Sequence, residues 1–178
     1  MKKNIVAVLL VIALSTAAAF AVDPASFQVQ TAVSGINKMK ITAAAFPSNG
    51  TPSTFDSAAA FAGPLTVTTS GAQTFSAYLS TMSNNRVGYK VTMSATAMTS
   101  AVTDQATAYI NYTVGVNSKS LTTAGATVVS SVEVINVASL AGLASQSHPI
   151  SLSVDQASFD AAVEGSYSGT VTFTYTAN

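Results

Sequence analysis

"GSYSGTVTFTYTAN" runs from Gly165 to Asn178. Its odd positions include Tyr167, Gly169, Val171, Phe173 and Tyr175, while the even positions from Ser166 to Thr176 are all serine or threonine. Side chains alternate across a β-strand, so one face of this stretch packs and the other meets water. The spacing predicts a half-buried strand with Tyr167, Gly169, Val171, Phe173 and Tyr175 on its core face. Tyr167, Val171 and Phe173 are expected to be buried, and Thr170, Thr172 and Thr174 more exposed.

The same period recurs upstream. Phe27, Val29, Thr31 and Val33 form one apolar-leaning face, and Met39 and Ile41 alternate with Lys38, Lys40 and Thr42. Leu65 and Val67 alternate with Thr66 and Thr68, and Phe75, Ala77 and Leu79 with Thr74, Ser76 and Ser80, although Tyr78 falls on the opposite parity. Tyr89-Val91-Met93-Ala95, Ile110-Tyr112-Val114-Val116 and Ile150-Leu152-Val154 follow. From Val128 to Val137 the valines occupy both parities, which fits a strand buried on both faces or one broken by a bulge. Turn residues separate these runs, among them Pro47-Ser48-Asn49-Gly50, Gly63-Pro64, Asn84-Asn85 and Asn117-Ser118. Only Ser57–Phe61 and Val137–Ala144 read as short helices. Many short strands between turn signals predict an all-β antiparallel sandwich.

The amino terminus reads as an address. Lys2 and Lys3 precede an apolar run from Ile5 to Leu14, and Ala19-Phe20-Ala21 supplies a small-x-small cleavage pattern. Residues 1–21 are expected to be a signal peptide, leaving residues 22–178 as one secreted domain with no membrane span after cleavage. Cleavage removes two of the seven basic residues and none of the seven acidic ones. The remaining charge is sparse and offers no footprint for nucleic acid. It is also uneven. Lys38, Lys40, Arg86 and Lys90 lie in the first half, and five of the acidic residues follow Thr103.

The chain has no cysteine and a single histidine, His148, which is followed by Pro149. That composition removes thiol chemistry and any zinc site of usual ligand spacing. His148 is expected in a surface turn. Asp155, Asp160 and Glu164 cluster without the spacing of a calcium loop and read as a solvated turn. Asn49-Gly50-Thr51 and Asn111-Tyr112-Thr113 match a glycosylation tripeptide by chance. There is no phosphate loop and no nucleophile elbow. No catalytic, cofactor-binding or metal-binding residue is expected, and no enzymatic activity.

Residues 84–121, "NNRVGYKVTMSATAMTSAVTDQATAYINYTVGVNSKSL", resemble the middle of secreted bacterial immunoglobulin-like fimbrial subunits. There an Asn precedes a strand, a loop follows, and a "Y-x-V-x-V-N" strand comes next. The closing stretch resembles the "G-x-Y-x-G-x-V-x-V-x-x-x-Y" ending of alpha-fimbrial major pilins and spore-coat-protein-U-like domains. The segment "SFQVQTAVSGINKMKI" is similar to the start of an alpha-fimbrial subunit. The resemblance implies an immunoglobulin-like sandwich lacking or exchanging one edge strand, which a neighbour's amino-terminal extension supplies by strand addition.

The expectation is therefore a non-enzymatic structural subunit of a bacterial surface fibre or coat. It would pass through the periplasm to the cell surface or beyond. Its partners would be copies of itself or related subunits, with a periplasmic chaperone and an outer-membrane usher as further candidates. Residues 22–34 are the candidate donor strand, with Phe27, Val29, Thr31 and Val33 as its inserting face. The alternative is a self-complete, monomeric secreted or periplasmic binding module for a ligand such as carbohydrate.

Overall fold

The computed structural model describes residues 28–101, 106–126 and 129–178. The signal segment 1–21, Phe27 and Val128 lie outside them. The chain divides into two units between Val33 and Ser34. In the first unit, Gln28 to Val33 carry no assigned secondary structure.

The second unit is built from β-strands in antiparallel sheets. These are β1 (Asn37–Thr42), β2 (Gly71–Ala72), β3 (Tyr78–Ser83), β4 (Tyr89–Ala95), β5 (Met98–Ser100) and β6 (Ala108–Ile110). After them come β7 (Tyr112–Val116), β8 (Lys119–Thr122), β9 (Val132–Val137), β10 (Ala144–Val154) and β11 (Val171–Ala177). One sheet has the order β1-β3-β10-β7-β8, with β2 beside β10; the second has the order β11-β4-β9; β5 and β6 form a small ribbon. Tyr89, Val91 and Met93 from the three-stranded sheet share one core with Leu79, Val114 and Val154 from the larger sheet. The protein is an all-β antiparallel, sandwich-like fold.

Alternation places the core wherever a strand has one wet face. In β4, Tyr89, Val91, Met93 and Ala95 are buried, whereas Lys90 between them is exposed. In β7, Tyr112, Val114 and Val116 are buried. A two-residue hairpin, Asn117-Ser118, joins β7 to β8 with φ of 50° and 60°. Two positive φ values match the right-handed twist of the paired strands.

β3 departs from simple alternation. Leu79 to Ser83 are all buried, because the outer face of this strand is covered as well. Phe46 and Phe55 meet edge to face at 4.9 Å and close over Met82. Phe55 belongs to α1 (Pro52–Ser57), whose start is fixed by Thr51 at the N-cap and Pro52 in the first turn. The Lys40 ammonium secures the other end, donating to the carbonyls of Phe55, Asp56 and Ala58 at 3.2, 2.9 and 3.0 Å. Tyr78, on the same parity as Met82, is half-buried.

Both expected helices are displaced. The alanine-rich Ser57–Phe61 leaves the helix at Ser57 and turns extended, since Ala43 N–H and Phe61 N–H pair across it to Ala59 O and Ile41 O. Val137–Ala144 ends β9 and enters β10 with no helix between. Instead α2 (Gln156–Asp160) begins at the acidic cluster, with Asp155 as its N-cap accepting from Ser158 N–H at 2.8 Å. The mixed parity near Val137 is a register irregularity between β4 and β9 at Val91/Thr92, which buries Val134 and Ile135 side by side.

His148 is not in a turn. It lies inside β10 opposite Leu79, so its imidazole shares the inner face of the sheet with that buried leucine. The eleven-residue β10 pairs with β3 through its first half and with β7 through its second. A histidine-proline pair thus sits where one strand passes from one partner to the next, a place where the missing proline N–H is tolerated.

Candidate functional site

β11 pairs with β4 along its whole length, Val171 opposite Ala95 through Ala177 opposite Tyr89. Thr96 N–H donates to Thr170 O at 3.0 Å and Asn178 N–H donates to Gly88 O at 3.1 Å. In an antiparallel ladder, residues of one parity direct both backbone groups to the same neighbour. The even residues of β11 therefore bond to β4, and Val171, Phe173 and Tyr175 turn their N–H and C=O groups to the other edge. Among the described residues no strand pairs there.

The same three residues point their side chains inward, and all are half-buried, while Thr172, Thr174 and Thr176 are exposed. Sequence parity thus identified the correct face, but full burial of Val171 and Phe173 was not found. The reason is the unpaired edge, beside which the core is open. A hollow of about 300 Å³ is bordered by Met39, Ile41 and Leu79 on one side and Val171 and Phe173 on the other. A second, of about 670 Å³, lies between Leu65, Val67 and Ile110 on one side and Phe159, Tyr167 and Val171 on the other. Val171 borders both, so the two form one apolar groove along β11.

Tyr167 and Gly169 precede β11 rather than belonging to it. Tyr167 is half-buried in the groove, and its hydroxyl donates to Val163 O at 2.9 Å. Gly169 is exposed, and a Cβ there would stand 2.8 Å from Thr96 O and 3.1 Å from Met98 N. Glycine is required because the chain crosses the junction of β4 and β5 at backbone contact. Thr99 and Ser168 exchange hydrogen bonds of 2.8 and 3.1 Å beyond that crossing, so the unpaired parity continues through Gly169.

Farther along β11, Tyr175 stacks on Tyr89 and donates its hydroxyl to Asn37 Oδ1 at 2.8 Å. Burial raises its pKa; the nearby Ser83 hydroxyl acts in the opposite, smaller sense. The Tyr89 hydroxyl meets Thr81 Oγ1 at 2.8 Å and accepts from Gln146 Nε2 at 2.6 Å, and Gln146 Oε1 is 2.9 Å from His148 Nε2. With the amide so oriented, His148 Nε2–H is the donor. Burial lowers the His148 pKa. Thr81, Tyr89, Gln146 and His148 are thus linked in one hydrogen-bonded network.

Of the expected donor face, Val29 is 81 % and Val33 82 % exposed, and Thr31 is also exposed. A third, polar hollow of about 420 Å³ lies between Asn111, Thr113, Thr122, Ser153 and Asp155. Asp155 spends its carboxylate on the α2 cap, which holds its pKa low through the Ser158 backbone and hydroxyl. Among the described residues no cluster of three metal-ligating side chains occurs, and no helix is long and apolar enough to cross a membrane. Leu65 and Val67, read in the sequence as one of the alternating strands, keep that alternation in the groove's far wall but carry no assigned strand.

Fold and site together define an all-β antiparallel protein in which, among the described residues, the outer edge of β11 has no strand partner and lies beside an apolar groove. No family model, no curated protein and no solved structure matches the chain.

Proposed function

We propose that this protein is a non-enzymatic structural subunit of a bacterial surface fibre or coat, secreted and assembled by β-strand addition. In this reading the sandwich is immunoglobulin-like and lacks one edge strand. The observation that carries it is the β11 edge. Val171, Phe173 and Tyr175 offer unpaired backbone groups on one side, and Val171 and Phe173 turn half-buried apolar side chains to an open groove. An added strand would complete both the ladder and the core.

The occupant is the segment around Val29 and Val33 of a second copy or a close relative. It alternates as an inserting strand must, and its two valines are exposed. Burying each valine contributes about 1.5–3 kcal/mol gross. Twelve extended residues, 22–33, reach roughly 40 Å, more than the seven residues of β11. Copies joined in this head-to-tail manner form an open filament when the rotation does not close.

Sedimentation and negative-stain imaging of the secreted full-length protein test this reading. The wild type should form fibres or large assemblies, and Val29→Asp/Val33→Asp should stay monomeric. A wild type that remains monomeric at high concentration with native termini would sink it, as would an Asp variant that assembles normally.

A further inference from the structure

The wall of the larger hollow contains a stretch of chain that has no assigned secondary structure and no backbone partner among the described residues. Phe61 N–H still pairs with Ile41 O, and Gln73 N–H pairs with Leu152 O at 2.8 Å. Between them, residues 62–68 make no backbone–backbone hydrogen bond among the described residues. Pro64 to Val67 all border the hollow; Leu65 and Val67 are half-buried, while Pro64, Thr66 and Thr68 are exposed. That is the pattern of a strand with one apolar face but without a partner.

A complementary edge lies across the hollow. Gly169 and Val171 line the same space, and by the ladder's parity their N–H and C=O groups face away from β4 and β5. The stretch is flanked by Gly63-Pro64 on one side and on the other by Gly71, whose φ is +80° with open space around its α-carbon. Two unpaired backbones, each with apolar side chains turned toward one 670 Å³ hollow, are arranged to approach each other.

We propose that Pro64–Thr68 is a strap that closes onto the Gly169–Val171 edge in the free subunit. It shields that edge from stray strands and is displaced by the incoming one. The open form described above is then the strand-accepting one. Competition with an incoming strand rests on the assembly reading; closure of the strap does not.

Amide hydrogen exchange on the full-length chain carrying Val29→Asp and Val33→Asp, confirmed monomeric by sedimentation, tests closure directly. Gly169 and Val171 amides should be protected at least about tenfold over unstructured rates, through a local opening rather than global unfolding. Adding Leu65→Ser/Val67→Ser should abolish that protection and leave Thr172 and Thr174, which bond to β4, unchanged. Should this pair fail to fold, which loss of protection at Thr172 would reveal, Leu65→Ala alone should weaken the protection in the same selective way. Unprotected Gly169 and Val171 amides with the strap intact would overturn the proposal, and so would protection indifferent to the strap substitutions.

A peptide of residues 22–33 provides the second arm. The strap variant should take it up faster than its parent. Slower uptake would make the strap a wall that the peptide needs, against the proposal. If the peptide binds neither protein, the assembly reading fails while the exchange pattern still decides closure.

Discussion

Tyr89 and Tyr175 stack with ring centroids 4.9 Å apart and planes inclined by 18°. Tyr89 is buried and Tyr175 only half-buried, so the pair marks where the closed core gives way to the open edge. Offset-stacked aromatics contribute about 0.5–1.5 kcal/mol beyond their buried area. Tyr175→Leu should therefore destabilise the domain by about 1–2 kcal/mol in urea unfolding, and also loosen Asn37, which loses the donated hydroxyl.

Met93 and Phe173 sit directly opposite each other in the ladder, yet Met93 is fully buried and Phe173 is not. Met93→Ala should cost about 2–5 kcal/mol, the range for a closed core. In the monomeric Val29→Asp/Val33→Asp background, Phe173→Ala should cost only about 2 kcal/mol, below the 3–5 usual for a fully buried phenylalanine. Equal costs would show that the edge is already covered in solution.

Gly88 and Gly71 both have positive φ, +79° and +80°, but different surroundings. A Cβ at Gly88 would lie 1.8 Å from Val137 O, whereas nothing stands within 4 Å of one at Gly71. Gly71→Ala should cost about 1–2 kcal/mol for the left-handed backbone alone. Gly88→Ala should cost clearly more, because β9 must also move. The two unfolding midpoints compare these directly.

Stability should fall on acidification in two steps. Burial depresses the His148 pKa below its usual 6.5, so the unfolded chain takes up the proton first. That contribution is complete above pH 6.5 and is lost as pH falls through it toward the folded value. Asp155, with a pKa lowered from 3.8 chiefly by the Ser158 backbone N–H, contributes above 3.8 and loses that contribution below it. His148→Gln should remove the first step and spare the second in a pH series of unfolding midpoints.

Much of the fold was legible because a strand with one wet face writes its burial into every second residue. β4, β7 and β11 were read in this way, and the inner face of each is the one that parity named. β3 was not, because Phe46 and Phe55 cover its outer side from a segment whose sequence does not reveal where it will lie. The helices were misplaced for a related reason. Alanine content favours helix only weakly, whereas the Thr51 and Asp155 caps, together with the pairing of Ala59 and Phe61, act through specific hydrogen bonds.

Local sequence by itself determined the β class, the two-faced strands and the positions of the tight turns, since each depends on neighbours one to four residues away. Only the tertiary structure decided that the β11 edge stands beside an open groove, that His148 lies inside a strand, and that Val171 and Phe173 stop at half burial. Those outcomes depend on β1, β4, β10 and the 62–68 stretch meeting across long separations in the chain. An alternating pattern states which face is apolar; it does not state what will cover it.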